Sequence, residues 1–320
     1  MKSKNLITVA AWVFASLLAP PAVSQEKNLT KLNVIRFTPD VGLTIAQARG
    51  LLAAEGLEVQ NTETGSSTQQ MRGLGQGTYD IALTALDNVL AWSGREGAEF
   101  VALGQREDGV TLPFFVRPEI KTLNDLKGRK LAVDAVDTAY AFVLRRILLS
   151  SGLDLKRGDY EVVAAGAPAQ RVDSMTRGET YAGIVNIPLD VRAKAEGLIP
   201  FPYDKAFLKD YVGSVIAVNR AWAQTHRKEI VGFLRAWRSA LQWTRTADRD
   251  AAVKLMVAQA KINPGSASQL LSTVSKDGVL NLAGAKIVLD LRSEFAGPPP
   301  KGSDIKSYVD LSYFEAASPK

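Results

Sequence analysis

The hydrophobic pattern of this chain changes period at short intervals. Residues 32–37 read as an apolar strand left through Thr38-Pro39-Asp40. Residues 43–55 take the wider spacing of a helix, ended by Gly56, which suits a left-handed cap. Residues 57–62 return to strand spacing, Gly65-Ser66-Ser67 opens a second helix, and 80–84 and 100–103 are further strands around a helical segment at 87–92. Residues 109–116 (GVTLPFFV) predict an extended crossing. A second α/β unit follows, with a helical turn at 123–126, strands at 130–133, 160–163 and 182–185, and helices at 138–149 and 170–176. Another extended run at 214–218 precedes a mainly helical remainder. In it Ile230, Phe233, Leu234, Trp237 and Leu241 form one broad apolar stripe with Arg235 and Arg238 off it.

This alternation predicts an α/β protein, and the order of the segments predicts two lobes. The first unit is left near residue 105 and re-entered near 213, so two extended crossings join the units, as a hinged clamshell requires. The expected division is residues 25–108 for the first part of lobe one and 109–212 for lobe two. Residues 213–320 then carry the return to lobe one and the C-terminal helices. No short fixed-period repeat is visible, which argues against a solenoid.

Residues 1–24 predict a cleaved secretory signal. Lys2 and Lys4 precede an apolar run of about 14 residues, short of the roughly 20 that a bilayer requires, and Ala22-Val23-Ser24 presents small residues for cleavage before Gln25. The chain has no cysteine, which excludes disulfides, cysteine nucleophiles and a cysteine-linked lipid anchor. A single histidine, His226, excludes a multi-histidine metal site, and its polar surroundings read as a surface turn. A 46% hydrophobic and 22% charged composition is that of a folded globular protein. The formal charge of +6 includes Lys2 and Lys4, and the remaining +4 is scattered without aromatic interleaving, so nucleic acid is not an expected partner. Gly73, Gly75 and Gly77 end a helix instead of joining a strand to one, which rejects a dinucleotide fingerprint.

Four segments carry a resemblance to a known family: LTIAQARGLLAAEGLEV (43–59), GSSTQQMRGLGQGTYDIALTALDNVL (65–90), IKTLNDLKGRKLAV (120–133) and YVGSVIAVNRAWAQTHRKEIVGFLRAW (211–237). The chain resembles the periplasmic substrate-binding proteins of ABC importers for sulfonates, taurine, nitrate and pyrimidine precursors, which have a type II binding-protein fold. The resemblance implies a periplasmic, monomeric receptor that closes on a small anionic or polar-aromatic solute and delivers it to an inner-membrane ABC permease, without a cofactor, metal or catalytic residue. Thr44 and Ile45 stand where the family often has proline and aromatic residues, and Asn186-Ile187-Pro188 where it often has a proline pair, so the solute is not specified. The rival readings are a pyrimidine-synthase-like enzyme, for which cysteine is missing, and a sensor subunit of a membrane receptor.

The candidate solute contacts are loops at strand ends and helix starts, where α/β sheets bind ligands and backbone N–H groups face outward. They are Thr38; Gly65, Ser66 and Ser67; Thr84 and Asp87; Asp137, Thr138, Ala139 and Tyr140; and Asn186 and Pro188. Arg106, near the first crossing, reads as a surface ion pair, with a charge-assisted contact to an anion as the alternative; Asp87, Asp134 and Asp137 read as caps or solvated turns, with a carboxylate-lined ion site as the alternative.

Overall fold

A computed structural model describes residues 28–302 and 304–318; the expected signal sequence lies outside the described residues. Among the described residues, ten strands form two five-stranded mixed sheets. The first holds β1 (Thr30–Arg36), β2 (Leu57–Glu63), β3 (Ile81–Ala85), β4 (Phe100–Gln105) and β10 (Ser214–Asn219) in the order β2-β1-β3-β10-β4. The second holds β5 (Phe114–Val116), β6 (Lys130–Val133), β7 (Glu161–Ala164), β8 (Ala182–Ile184) and β9 (Ile199–Pro200) in the order β7-β6-β8-β5-β9. β10 runs antiparallel between β3 and β4, pairing Ile216 with Leu83 on one side and with Gly104 on the other. The chain thus passes from the first sheet to the second after Gln105 and returns before Ser214.

Side-chain alternation explains the layers, because successive strand residues face opposite sides of a sheet. Leu32, Val34, Ile81, Leu83, Val101, Leu103, Ile216 and Val218 pack on one face against Phe233 and Trp237 of the helix Arg227–Thr246. Ile35, Ala82, Phe100, Ala102, Val215 and Ala217 face the other way. There they join Val89 and Leu90 of the helix Leu86–Trp92, Val288 and Leu289 of the helix Leu282–Ala296, and the second sheet's Phe114 and Leu131 in one continuous core. The predicted stripe of Ile230, Phe233, Leu234, Trp237 and Leu241 is buried throughout.

The predicted helix over 43–55 is two shorter helices, Val41–Ala48 and Leu51–Ala54, because Gly50 takes a left-handed φ of 68° between them. Asp40 starts the first, accepting Leu43 N–H at 2.6 Å. The helix expected from residue 138 begins at Tyr140, since Ala139 has φ 40° and cannot continue it. The helix Leu189–Ala195, after the cis Ile187–Pro188 bond, and the two-residue β9 were not expected.

Candidate functional site

The carboxyl-terminal ends of β1, β3 and β4 point toward those of β6 and β8, and a cavity of about 50 Å³ lies between them. Its walls come from both sheets. Phe37, Thr38, Thr84, Asn88, Arg106 and Ser214 belong to the first side; Asp134, Ala139, Tyr140, Pro168, Arg171 and Asn186 belong to the second; Glu107 lies on the crossing between them. At roughly 10–15 Å³ per water, this space holds a few waters or a solute of few heavy atoms.

Two buried arginines face this space. Arg106 Nε donates to Asp40 Oδ2 at 2.7 Å, and Nη1 donates to the Ser214 hydroxyl. Asp40 also accepts Trp237 Nε1–H at 2.9 Å, which ties the arginine to the core helix Arg227–Thr246. That approach depends on Gly42, where a Cβ would stand 2.3 Å from Trp237 Nε1. Arg171 lies on the helix Pro168–Thr176 and donates to Ile184 O at 2.8 Å, Gly166 O at 3.1 Å and Asn186 Oδ1 at 3.0 Å. Burial pulls its pKa down, opposed by the nearby Asp134. Burial pushes the Tyr140 hydroxyl up, and the Glu107 charge adds to this.

Of the candidate residues, Thr38, Thr84 and Asn186 at strand ends and Ala139 and Tyr140 at a helix start line the cavity. The Gly65-Ser66-Ser67 helix start instead lies at the seam between the two halves. Gly65 O accepts Ala167 N–H at 2.8 Å, and Ser66 caps its helix by accepting Gln69 N–H at 3.1 Å. Ser67 N–H donates to Asp134 Oδ2 at 3.2 Å, so the negative group at this helix start is the protein's own carboxylate from the other half. Ser67 Oγ lies 3.4 Å from Thr138 Oγ1.

Asp87 is also at the seam, buried, accepting Ala139 N–H and pairing with Arg292 Nη1 at 3.1 Å. Burial raises its pKa while Arg292 pulls it back. The Asp137 carboxylate pairs with Arg95 at 2.9 Å, and its carbonyl accepts Arg292 Nη1–H at 3.2 Å. Pro188 precedes the helix Leu189–Ala195 and does not line the cavity.

Arg106 corrects the sequence expectation: its side chain is 7% exposed, in a buried pair instead of a surface one. Sequence reasoning missed Arg171, Glu107 and Ser214 as cavity residues, whereas Asn88 ends the loop after the third strand that the strand-end argument does reach. Arg171 had a legible signal, because it shares a helix face with Val172 and Met175, and a charge on an apolar stripe is a buried charge in search of partners. Ser214 had none, since only the pairing of β10 with β3 brings it beside Thr84.

The two-sheet architecture is shared with solved proteins at low sequence identity. The alkanesulfonate-binding protein SsuA from Xanthomonas axonopodis pv. citri, bound to MOPS, superposes with a TM-score of 0.72 at 16% identity, over 88% of this chain and 98% of that one. The periplasmic nitrate-binding protein NrtA from Synechocystis PCC 6803 gives a TM-score of 0.74 at 13% identity, over 90% and 88%. The periplasmic aliphatic sulphonate binding protein SsuA from Escherichia coli gives 0.64 at 20%, over 88% and 92%. These similarities establish the periplasmic binding-protein fold. No curated protein matches the sequence. The profile of the family described as NMT1/THI5 like matches residues 39–251, a span that holds every cavity-lining residue except Phe37 and Thr38. With its profile over both halves and the cleft between them, the chain belongs to the NMT1/THI5-like family.

Proposed function

We propose that this protein is an exported solute receptor that captures one small polar molecule between its two halves and delivers it to an inner-membrane ABC permease, with no chemistry of its own. The observation that carries this reading is the cavity walled jointly by strand ends of both sheets, where a bound solute touches both halves at once. Such contacts exist in full only when the halves meet, so the solute favours closure by its differential affinity for the closed state. In this reading the lobes divide near residues 108 and 213, and the segments between Gln105 and Phe114 and between Pro200 and Ser214 act as the hinge. The periplasmic names of the solved relatives support the compartment, and the expected signal at residues 1–24 agrees with it.

The test is a melting series on the chain without residues 1–24, stripped by unfolding and refolding, against sulfonates, nitrate, bicarbonate, pyrimidines, aromatic carboxylates and amino acids. A true solute at 100 times its Kd stabilises by about 2.7 kcal/mol, a rise in Tm on the order of 5 °C. Deletion of the gene should abolish uptake of that solute. A solute that is consumed by the purified protein, or one that binds while uptake persists in the deletion strain, would overturn the transport reading.

A further inference from the structure

The helix Leu282–Ala296 and the loop before it touch both crossings and both halves. The loop holds the first crossing along its edge. Gln105 N–H donates to Gly278 O at 2.9 Å, Ser275 N–H to Arg106 O at 2.9 Å and Asp108 N–H to Thr273 O at 3.0 Å. The Asp108 carboxylate then accepts the Ser275 hydroxyl at 2.7 Å and Lys276 N–H at 2.9 Å. The grip ends there. Gly109, at φ 82°, and Val110 and Thr111 make no backbone hydrogen bond among the described residues. The second crossing bears on the first turn of the helix, where Asp210 O leaves no room for a side chain at Gly284. Val110 packs just as closely on Gly213, so the two crossings meet at that point.

The far end of the helix reaches the second half. Arg292 Nη1 donates to Asp137 O at 3.2 Å, on the loop whose Asp134 and Thr138 face Ser67 across the seam. Phe295 stacks on Phe142 with the ring planes 10° apart. The buried Arg145 guanidinium sits 4.5 Å from the Phe295 ring centroid, and Arg146 pairs with Glu294. None of Arg145, Arg146, Glu294 and Phe295 lines the cavity. An aromatic stack and a cation over a ring each add stability beyond the area they bury. Contacts across the seam exist in full only while the halves meet, so they weight that balance independently of any solute.

We propose that the segment Thr273–Phe295 is a brace that sets how readily the halves part. Its loop confines bending of the first crossing to Gly109–Thr111, and the last turn of its helix latches the second half to the first. This rests on the receptor reading and adds a regulation of its cleft. A latch that favours the joined state raises the apparent affinity for whatever both halves hold.

The chain has no cysteine, so spin labels go on Thr62→Cys and Ala164→Cys alone. These exposed residues lie at the ends of β2 and β7, the sheet edges farthest from the crossings. Double electron–electron resonance on the chain without residues 1–24 measures the distance between them. Phe295→Ala and Arg146→Ala should each raise the ratio of long to short distances, Phe295→Ala by about fivefold. Lys286→Ala, which loses an ion pair to Asp290 on the same helix, should leave the ratio unchanged. Ser67→Trp, a wedge at a fully buried seam position, supplies the distance for parted halves. Circular dichroism confirms that each variant folds. Unchanged distances in both latch variants, with the wedge lengthened, overturn the brace and leave the receptor reading standing. A rise in Lys286→Ala as large as in Phe295→Ala also overturns the brace. One short distance throughout, the wedge included, counts against both.

Discussion

Glu107 makes a pH prediction at the scale of one residue. Glu107 is half-buried and its carboxyl pKa is raised by loss of solvent, so its ionisation costs stability that is absent below the ordinary carboxylate range, grows above it and levels off past the raised folded value. Without solute, Glu107→Gln should therefore be more stable than the parent at pH 7, by about 1 kcal/mol or less, with the difference vanishing near pH 4. Paired urea melts at the two pH values measure it; an equal gap at both would show that the carboxylate is not held in a desolvated site. Glu107 also marks where legibility stopped. Thr38, Thr84 and Asn186 were readable because strand ends are fixed by local hydrophobic period, whereas Glu107 reaches the cavity only through the path of a crossing segment. The charge on Arg106 was visible, but its burial depended on Asp40, sixty-six residues away, and on Trp237 behind it.

Among elements, the helix Leu282–Ala296 joins the two halves most directly. Arg292 on this helix contacts Asp87 of the first half and the Asp137 carbonyl of the second. Phe295 stacks on Phe142 with ring centroids 6.2 Å apart, beside the Arg146–Glu294 ion pair. Arg292→Ala leaves Asp87 buried and uncompensated, so a loss of about 3–5 kcal/mol is expected in a denaturant melt. A larger radius of gyration in small-angle scattering at low denaturant should accompany it, because the arginine holds the halves together. A stability loss under 1 kcal/mol would show that Asp87 is relieved by protonation or water. The existence of most elements was legible from period alone, including the long helix Arg227–Thr246 and both paired runs around the crossings. Their ends were not, because Gly50 and Ala139 interrupt helices through single backbone torsions that an apolar stripe does not report.

For the whole molecule, the seam offers a direct test of opening. Ser67 and Thr138 face each other across it with hydroxyl oxygens 3.4 Å apart, in a chain that has no cysteine of its own. A Ser67→Cys, Thr138→Cys double variant should form one disulfide on oxidation. Solute exchange should then slow at least tenfold and recover on reduction, as followed by stopped-flow fluorescence. Unchanged exchange in the oxidised form would mean that solute enters without parting of the halves. The two-sheet plan was legible because the chain visibly leaves one α/β unit and returns to it, but the seam pairs residues of separate units and has no local signature. The place of β10 has a further consequence, for the order in which the chain acquires structure. β3 and β4 do not pair with each other; they wait for a strand that begins at Ser214, after the entire second sheet has been synthesised. Such distant pairing delays folding, so the first sheet stays incomplete while two thirds of the chain is made. If the chain is exported, as proposed, that delay favours passage across a membrane before folding, because the late strand leaves the first sheet incomplete until the final third is made.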